Sequence, residues 1–202
     1  MSKQYAVPDA PQVTWLKQYY FVRAGFALAW VAAMLAFARQ HAGVGVVLLV
    51  CYPLWDALAN FVDSRRNGGL ATNRAQLLNV VVSLAVALAL AIASSDMNHV
   101  LAVFGVWAIL SGLLQVGAAR RRWKAGAQWA MVLSGAQSAL AGVFFIVQAR
   151  GPAIPPITTV VGYAGFGAFY FLVSAIALSI SERRRQRDRS PRATKRVSKS
   201  TQ

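Results

Sequence analysis

Negatively charged residues are scarce in this chain of 202 residues, which has six Asp and Glu in total, one cysteine and two histidines. A single cysteine excludes an intramolecular disulfide and any metal site built from several cysteines. The sequence offers no pairing of a nucleophile with a base, no phosphate-binding loop and no metal-ligand spacing. We therefore expect no enzyme activity, no cofactor and no metal. Cys51 lies in an apolar run, where a thiol acts as a small hydrophobic side chain.

Apolar residues dominate what is present. The chain is 57% hydrophobic and 13% charged, against roughly 25% charged residues in ordinary soluble domains. A membrane-spanning helix needs about 20 mostly apolar residues, and six such runs occur. The sequence predicts an all-α membrane protein whose six transmembrane helices cover residues 19–38, 43–62, 74–93, 99–119, 126–148 and 156–181.

The two ends of the chain differ from this apolar body. Residues 1–13 are expected to be a flexible N-terminus, and Thr14 is a candidate cap for the first helix. Residues 14–181 form the predicted transmembrane domain. Residues 182–202 are basic and polar and cannot bury a core, so they are expected to be a disordered tail.

Basic residues are abundant and unevenly placed. There are 21 Lys and Arg and a net charge of +15, but they lie between and after the apolar runs, so membrane topology explains them without nucleic acid. Alternating spans put 18 of them on the side of both termini, and only Arg39 and Arg150 on the other side. The positive-inside rule predicts that both termini lie in the cytoplasm. The tail is either a solvated stop or a contact for anionic lipid, with Arg183, Arg184, Arg185 and Arg187 as the candidate contacts.

An internal repeat links the second, fourth and sixth spans. Asp56, Ser111 and Ser174 align without a gap, each followed by a small residue and, nine and ten residues later, by two arginines. The aligned partners are Ala57, Gly112 and Ala175, and then Arg65-Arg66, Arg120-Arg121 and Arg183-Arg184. Small residues let membrane helices approach closely. The pattern predicts three repeated αα hairpins.

This hairpin unit resembles that of the HdeD-like acid-resistance membrane proteins, small bacterial proteins built from short membrane repeats. The residues that carry the resemblance are Trp107 to Gln115, Arg120 and Arg121, Trp129 to Gly135, and Ala141 and Gly142. It is closest over residues 99–148 and looser over 19–98 and 157–181. The resemblance implies a six-span inner-membrane protein linked to acid stress, without enzyme activity or cofactor. The chain departs from the repeat at Asp56, where the other copies have Ser, and in its long basic tail.

Arg23 and Asp56 are the charged residues placed within predicted spans. Counting from the helix ends at 1.5 Å per residue puts them within roughly 3 Å of the same depth. Because a lone charge in a bilayer is costly, we predict that they form an intramembrane ion pair. The pair is either a packing clamp or a proton relay or substrate site. Pro53, three residues before Asp56, is a candidate helix bend.

Other polar residues allow two interpretations. Four intramembrane amides are expected to join helices or to line a polar path: Asn60, Asn79, Gln115 and Gln137. His41 and His99 are predicted in the first two outward turns. Because histidine titrates between pH 5 and 8, they are candidate pH sensors, with loop residues of no special role as the alternative.

Two functions therefore remain open. The first is a non-enzymatic membrane protein of the stress-resistance type. The second is a small transporter or channel subunit that uses Arg23 and Asp56, and such a protein would need to form a homo-oligomer because six spans are few for a lone carrier. A polar stripe shared by several helices would favour transport. A dry core sealed by small residues would favour the first function.

Overall fold

The computed structural model describes residues 10–125 and 128–199, and within these ranges it is helical with no strand. The six α-helices are α1 Ala10–Phe37, α2 Ala42–Arg66, α3 Arg74–Ala93, α4 Met97–Arg121, α5 Trp129–Ala149 and α6 Thr158–Lys199, with a 3-10 turn at Trp123–Ala125. All six are long and apolar enough to cross a membrane. Large apolar side chains such as Leu88, Ile92 and Leu140 are exposed on the outside of the bundle, as expected where the surroundings are lipid. The prediction of an all-α, multi-pass membrane protein is confirmed.

The two ends of the predicted transmembrane domain contact each other. α1 begins at Ala10, so Thr14 lies inside the helix rather than at its cap, and its hydroxyl donates to Glu182 (3.3 Å). Lys17 also pairs with Glu182 (2.6 Å). α6 extends to Lys199, and the disorder that the sequence predicts from residue 182 stays a prediction. Arg, Lys and Glu are good helix formers, which explains the extension. Residues 1–9 and 200–202 lie outside the described residues.

The helices form a closed ring. Each packs on the next along the chain, and α6 returns to lie along α1. The most extensive contacts join α4 with α5, α1 with α6, and α2 with α3. Those pairs belong to different predicted hairpins, so the packing gives no support to three hairpins as separate units.

The two ends of the ring have different characters. We call the end with the α2–α3 and α4–α5 connections the basic end, and the end with the other three connections the histidine end. An apolar cluster fills each end. The histidine-end cluster includes Trp30, Met34, Leu49, Leu90, Leu101, Phe104 and Phe145. The basic-end cluster includes Leu16, Tyr20, Ala59, Met131, Ala175 and Leu178.

Glycines seal the α4–α5 contact. A Cβ added to Gly112 would lie 2.5 Å from the Gly135 carbonyl oxygen, and one added to Gly135 would lie 2.6 Å from that of Gly112. Gly105 and Gly142 face each other in the same reciprocal way. Such close backbone approach is how membrane helices gain packing energy without a hydrophobic driving force. This seam leaves no space between its two helices.

Candidate functional site

A polar cavity of about 360 Å³ lies between the two apolar clusters. Its lining includes polar side chains from every helix: Arg23 on α1, Asp56 and Asn60 on α2, Gln76 and Asn79 on α3, Ser111 and Gln115 on α4, Ser134 and Gln137 on α5, and Tyr163 and Tyr170 on α6. Isolated polar residues in apolar helices turn toward one another because lipid offers them no partner. The cavity is therefore the place where the ring gathers its polar groups.

The structure brings Arg23 and Asp56 together. Nη2 of Arg23 donates to Oδ1 of Asp56, and the two side chains are only 14% and 7% exposed. Nη1 of Arg23 donates to the Tyr19 hydroxyl at 2.8 Å, and the guanidinium lies 4.5 Å from the centroid of the Phe171 ring. Nε of Arg23 is buried without a hydrogen-bond partner among the described residues. The arginine thus links α1, α2 and α6 beside the cavity.

Both oxygens of Asp56 are occupied. Oδ2 accepts from the Ser83 hydroxyl at 2.9 Å and from Nδ2 of Asn60 at 3.2 Å. Ser83 in turn accepts a hydrogen bond from Nε1 of Trp107 at 3.1 Å. The network fixes the carboxylate from α1, α2 and α3 at once. Both carboxylate oxygens of Asp56 are therefore hydrogen-bonded.

A second buried ion pair closes the basic end, and the sequence analysis missed it. Asp63 was placed in the polar turn after α2, but its side chain is 3% exposed and accepts from Nη2 of Arg122. Nε1 of Trp15, Nδ2 of Asn67 and Nε2 of Gln76 also donate to it, at 3.3, 3.0 and 3.3 Å. One signal was available, because Asp63 follows Asp56 by seven residues, which places both on one helix face.

Arg122 lies just beyond the end of α4, outside the membrane-spanning segment. Burial lowers the pKa of Arg122, but the Asp63 carboxylate and the Tyr20 hydroxyl outweigh it and raise that pKa above its ordinary value. The guanidinium therefore stays charged beside Asp63.

The amides form part of the cavity wall and also join elements. Nε2 of Gln115 donates to the Met131 carbonyl at 3.3 Å, and Oε1 of Gln137 accepts from Tyr170 at 2.8 Å. Asn60 instead bonds within its own helix. Oε1 of Gln76 is buried without a partner among the described residues. All four predicted amides line the cavity, but only Gln115 and Gln137 also join two helices.

The other predicted site residues lie apart from the cavity. His41 and His99 are exposed at the histidine end, where Nδ1 of His99 lies 3.1 Å from Oδ2 of Asp96. Pro53 is buried within α2, which continues as one helix through it.

The tail and the repeat add little to this site. Arg183 and Arg184 are exposed, while the side chains of Arg185 and Arg187 lie outside the described residues. Ser174, the repeat partner of Asp56, is fully buried without a hydrogen-bond partner among the described residues. Within the part of the chain that the structure describes, no group of three His, Cys, Asp or Glu side chains could hold a metal.

Comparison with protein-family models, with curated proteins and with solved structures found no match to this chain. The resemblance to HdeD-like proteins therefore stays a prediction from the sequence. Fold, cavity and charge pairs are the basis for a functional proposal.

Proposed function

We propose that this protein is a small transporter that binds a solute in the polar cavity, with the Arg23–Asp56 pair at the binding site. The observation that carries the proposal is the shared polar lining from all six helices. A volume of about 360 Å³ falls at the lower end of the range of small-molecule sites. Placing polar side chains inside a bilayer costs free energy, so polar side chains at this depth are typically functional. A polar stripe shared by several helices is also the feature that favoured transport over a dry core.

The openings of the cavity fit one state of a transport cycle. Toward the histidine end its lining extends to Thr159 in the first turn of α6, where it meets the packed cluster around Trp30, Leu101 and Phe104. Toward the basic end its lining reaches Arg121, which is exposed. The positive-inside rule makes the basic end cytoplasmic. In the proposed function this is the inward-facing form, and the histidine-end cluster separates in the outward-facing form.

The alternative function is a non-enzymatic role in acid resistance, based on the HdeD-like resemblance. The glycine-sealed α4–α5 seam is the feature that favours it. Three repeated hairpins, an inner-membrane location and lipid contact by the tail belong to this alternative as well as to the first. Growth of a deletion strain in acid and neutral medium, complemented by wild type and by Asp56→Asn, tests it. Equal survival of the deletion and parent strains in acid would remove this role.

Water access to the cavity tests the transport proposal. Cys51 is the chain's sole cysteine, so Cys51→Ala gives a background in which a single new thiol reports its surroundings. Ser111→Cys places the thiol in the cavity lining. Leu140→Cys, which faces lipid, and Leu101→Cys, which is fully buried in the histidine-end cluster, are matched controls.

Ser111→Cys should react with a membrane-impermeant thiol reagent added at the basic end and not at the histidine end. Both controls should stay unreactive, because a thiol in an apolar environment does not form the reactive thiolate. Inside-out and right-side-out vesicles provide the two sides. If Ser111→Cys is as unreactive as Leu101→Cys from both sides, the cavity is dry and the transport proposal fails.

A further inference from the structure

The cavity also reaches the lipid-facing surface of the bundle, between α5 and α6. Phe144 on α5 and Phe166 on α6 line the cavity yet are 61% and 59% exposed. Between them Gly162 lines the cavity and is exposed, and a Cβ added there would meet nothing within 4 Å. We call this gap, defined by Phe144, Gly162 and Phe166, the lateral opening.

The α5–α6 seam differs from the sealed α4–α5 seam. Two polar bridges hold it, from Ser138 to Tyr163 (2.6 Å) and from Tyr170 to Gln137 (2.8 Å). No glycine of α6 approaches another backbone as those of α4 and α5 do. A seam joined by hydrogen bonds between side chains can accept a ligand by exchanging partners with it. This makes the lateral opening a route between bilayer and cavity.

The two ends of this route have opposite polarity. The lateral opening is flanked by phenylalanine rings, whereas nine residues along α6 from Gly162, about 13 Å at 1.5 Å per residue, Phe171 contacts Arg23. Tyr52 lines the cavity, and its hydroxyl lies 3.8 Å from the position that a Cβ on Gly167 would occupy. An elongated ligand would place hydrogen-bonding groups near Arg23 and Tyr52 and an apolar chain in the opening.

The charges of the cavity define the head of that ligand. Of the charged lining residues, Arg23 and Arg122 are each paired with an aspartate, and Arg121 is exposed at the basic end. A ligand with a net charge beside Arg23 would therefore be buried without a counterion, which is costly in a low-dielectric site. An uncharged or zwitterionic head can hydrogen-bond without breaking either pair.

Resting on the proposed transport function, we infer that the solute is an amphiphile with an uncharged or zwitterionic head and a single apolar chain, taken from the bilayer through the lateral opening. The head lies beside Arg23 and Tyr52. The apolar chain lies between Phe144 and Phe166.

Protection of the Ser111→Cys thiol tests the inference. The protein is reconstituted in phosphatidylglycerol vesicles, whose anionic heads belong to the disfavoured class. The probes are decyl maltoside, decylphosphocholine, decyltrimethylammonium, decyl sulfate and the chain-free maltose and glycerophosphocholine. Decyl maltoside and decylphosphocholine should slow labelling about tenfold, as an occupant at about ten times its dissociation constant would. The charged and chain-free probes should leave the rate unchanged.

Blocking the lateral opening gives the second arm. Gly162→Leu should abolish protection by decyl maltoside, measured as the ratio of this variant's own labelling rates with and without the probe. Gly25→Leu is the matched control, because Gly25 is exposed on α1 and also has open space at its Cβ position, and it should retain protection.

Each of the other possible results overturns a specific part of the inference or of the transport proposal. If maltose protects as well as decyl maltoside and Gly162→Leu changes nothing, the solute is water-soluble and the lateral route is wrong while transport stands. Stronger protection by a charged probe refutes the neutral head. Rapid labelling that no probe slows refutes the amphiphile. Absence of any labelling without probes refutes the transport proposal itself.

Discussion

Arg23 on α1 donates directly to Asp56 on α2, and this ion pair stands between the two apolar clusters of the bundle. Its hydrogen-bonding partners are Ser83 on a neighbouring helix, and Tyr19 and Asn60, each one helical turn away on the same helix as the residue it contacts. The pair therefore has two consequences that can be measured separately. It stabilises the ring, and it sets the charge of the cavity.

Removing one partner of this pair should cost more than removing both. Arg23→Met or Asp56→Leu leaves an unpaired buried charge and should destabilise the protein by about 3–5 kcal/mol. The double variant should recover much of that loss. Unfolding in detergent, followed by circular dichroism, measures all three. The Lys17–Glu182 pair is the control, since such partly exposed pairs contribute about 0–1 kcal/mol. A double variant no better than the worse single variant would contradict the clamp.

Asp63 should hold the basic end closed. Asp63→Ala removes the acceptor of Arg122, Trp15 and Gln76, so the α4–α5 connection should loosen. Hydrogen exchange in residues 118–125 should accelerate, while exchange in the histidine-end cluster stays slow. Asp96→Ala, which removes an exposed helix cap, is the matched control and should affect only the start of α4. An unchanged hydrogen-exchange rate at residues 118–125 would show that Asp63 does not hold the basic end closed.

The glycines of the α4–α5 seam should tolerate no added methyl group. Gly112→Ala places a Cβ against the Gly135 carbonyl, and overpacking of this kind costs typically about 1–3 kcal/mol. Gly117→Ala on the same helix meets nothing within 4 Å and should be neutral or stabilising, by about 0.5–1 kcal/mol at most. Thermal unfolding of the two variants side by side checks this. Equal melting temperatures would mean that α4 and α5 are not in close contact.

Ser83 should be required for its hydroxyl. It donates to Asp56 and accepts from Trp107, so Ser83→Ala leaves a buried indole N–H unpaired at a cost of about 1–3 kcal/mol. Ser179→Ala, whose hydroxyl donates to the Ala175 carbonyl of its own helix, controls for the loss of a helical serine. The combination with Trp107→Phe should restore part of the loss, because the orphaned donor disappears. Additive losses in that double variant would refute the hydrogen bond.

Sequence reasoning failed at Asp63 for a physical reason. Asp63 and Arg122 look like polar residues of two separate turns. Their burial depends on Trp15, Gln76 and Tyr20 arriving from other helices. No local pattern specifies that meeting. The contacts of Glu182 with Thr14 and Lys17 on α1 were missed for the same reason.

The sequence by itself determined six spanning helices, because a bilayer core leaves helices as the way for such apolar runs to satisfy their backbone groups. It also placed Arg23 and Asp56 at one depth, because helical rise is fixed. Only the tertiary structure decided that α6 returns to α1, that glycines seal α4 to α5 while the α5–α6 seam stays open, and that polar residues of all six helices enclose one cavity. These helix contacts depend on how side chains of distant segments fit together, and the spacing of residues along the chain does not encode that fit.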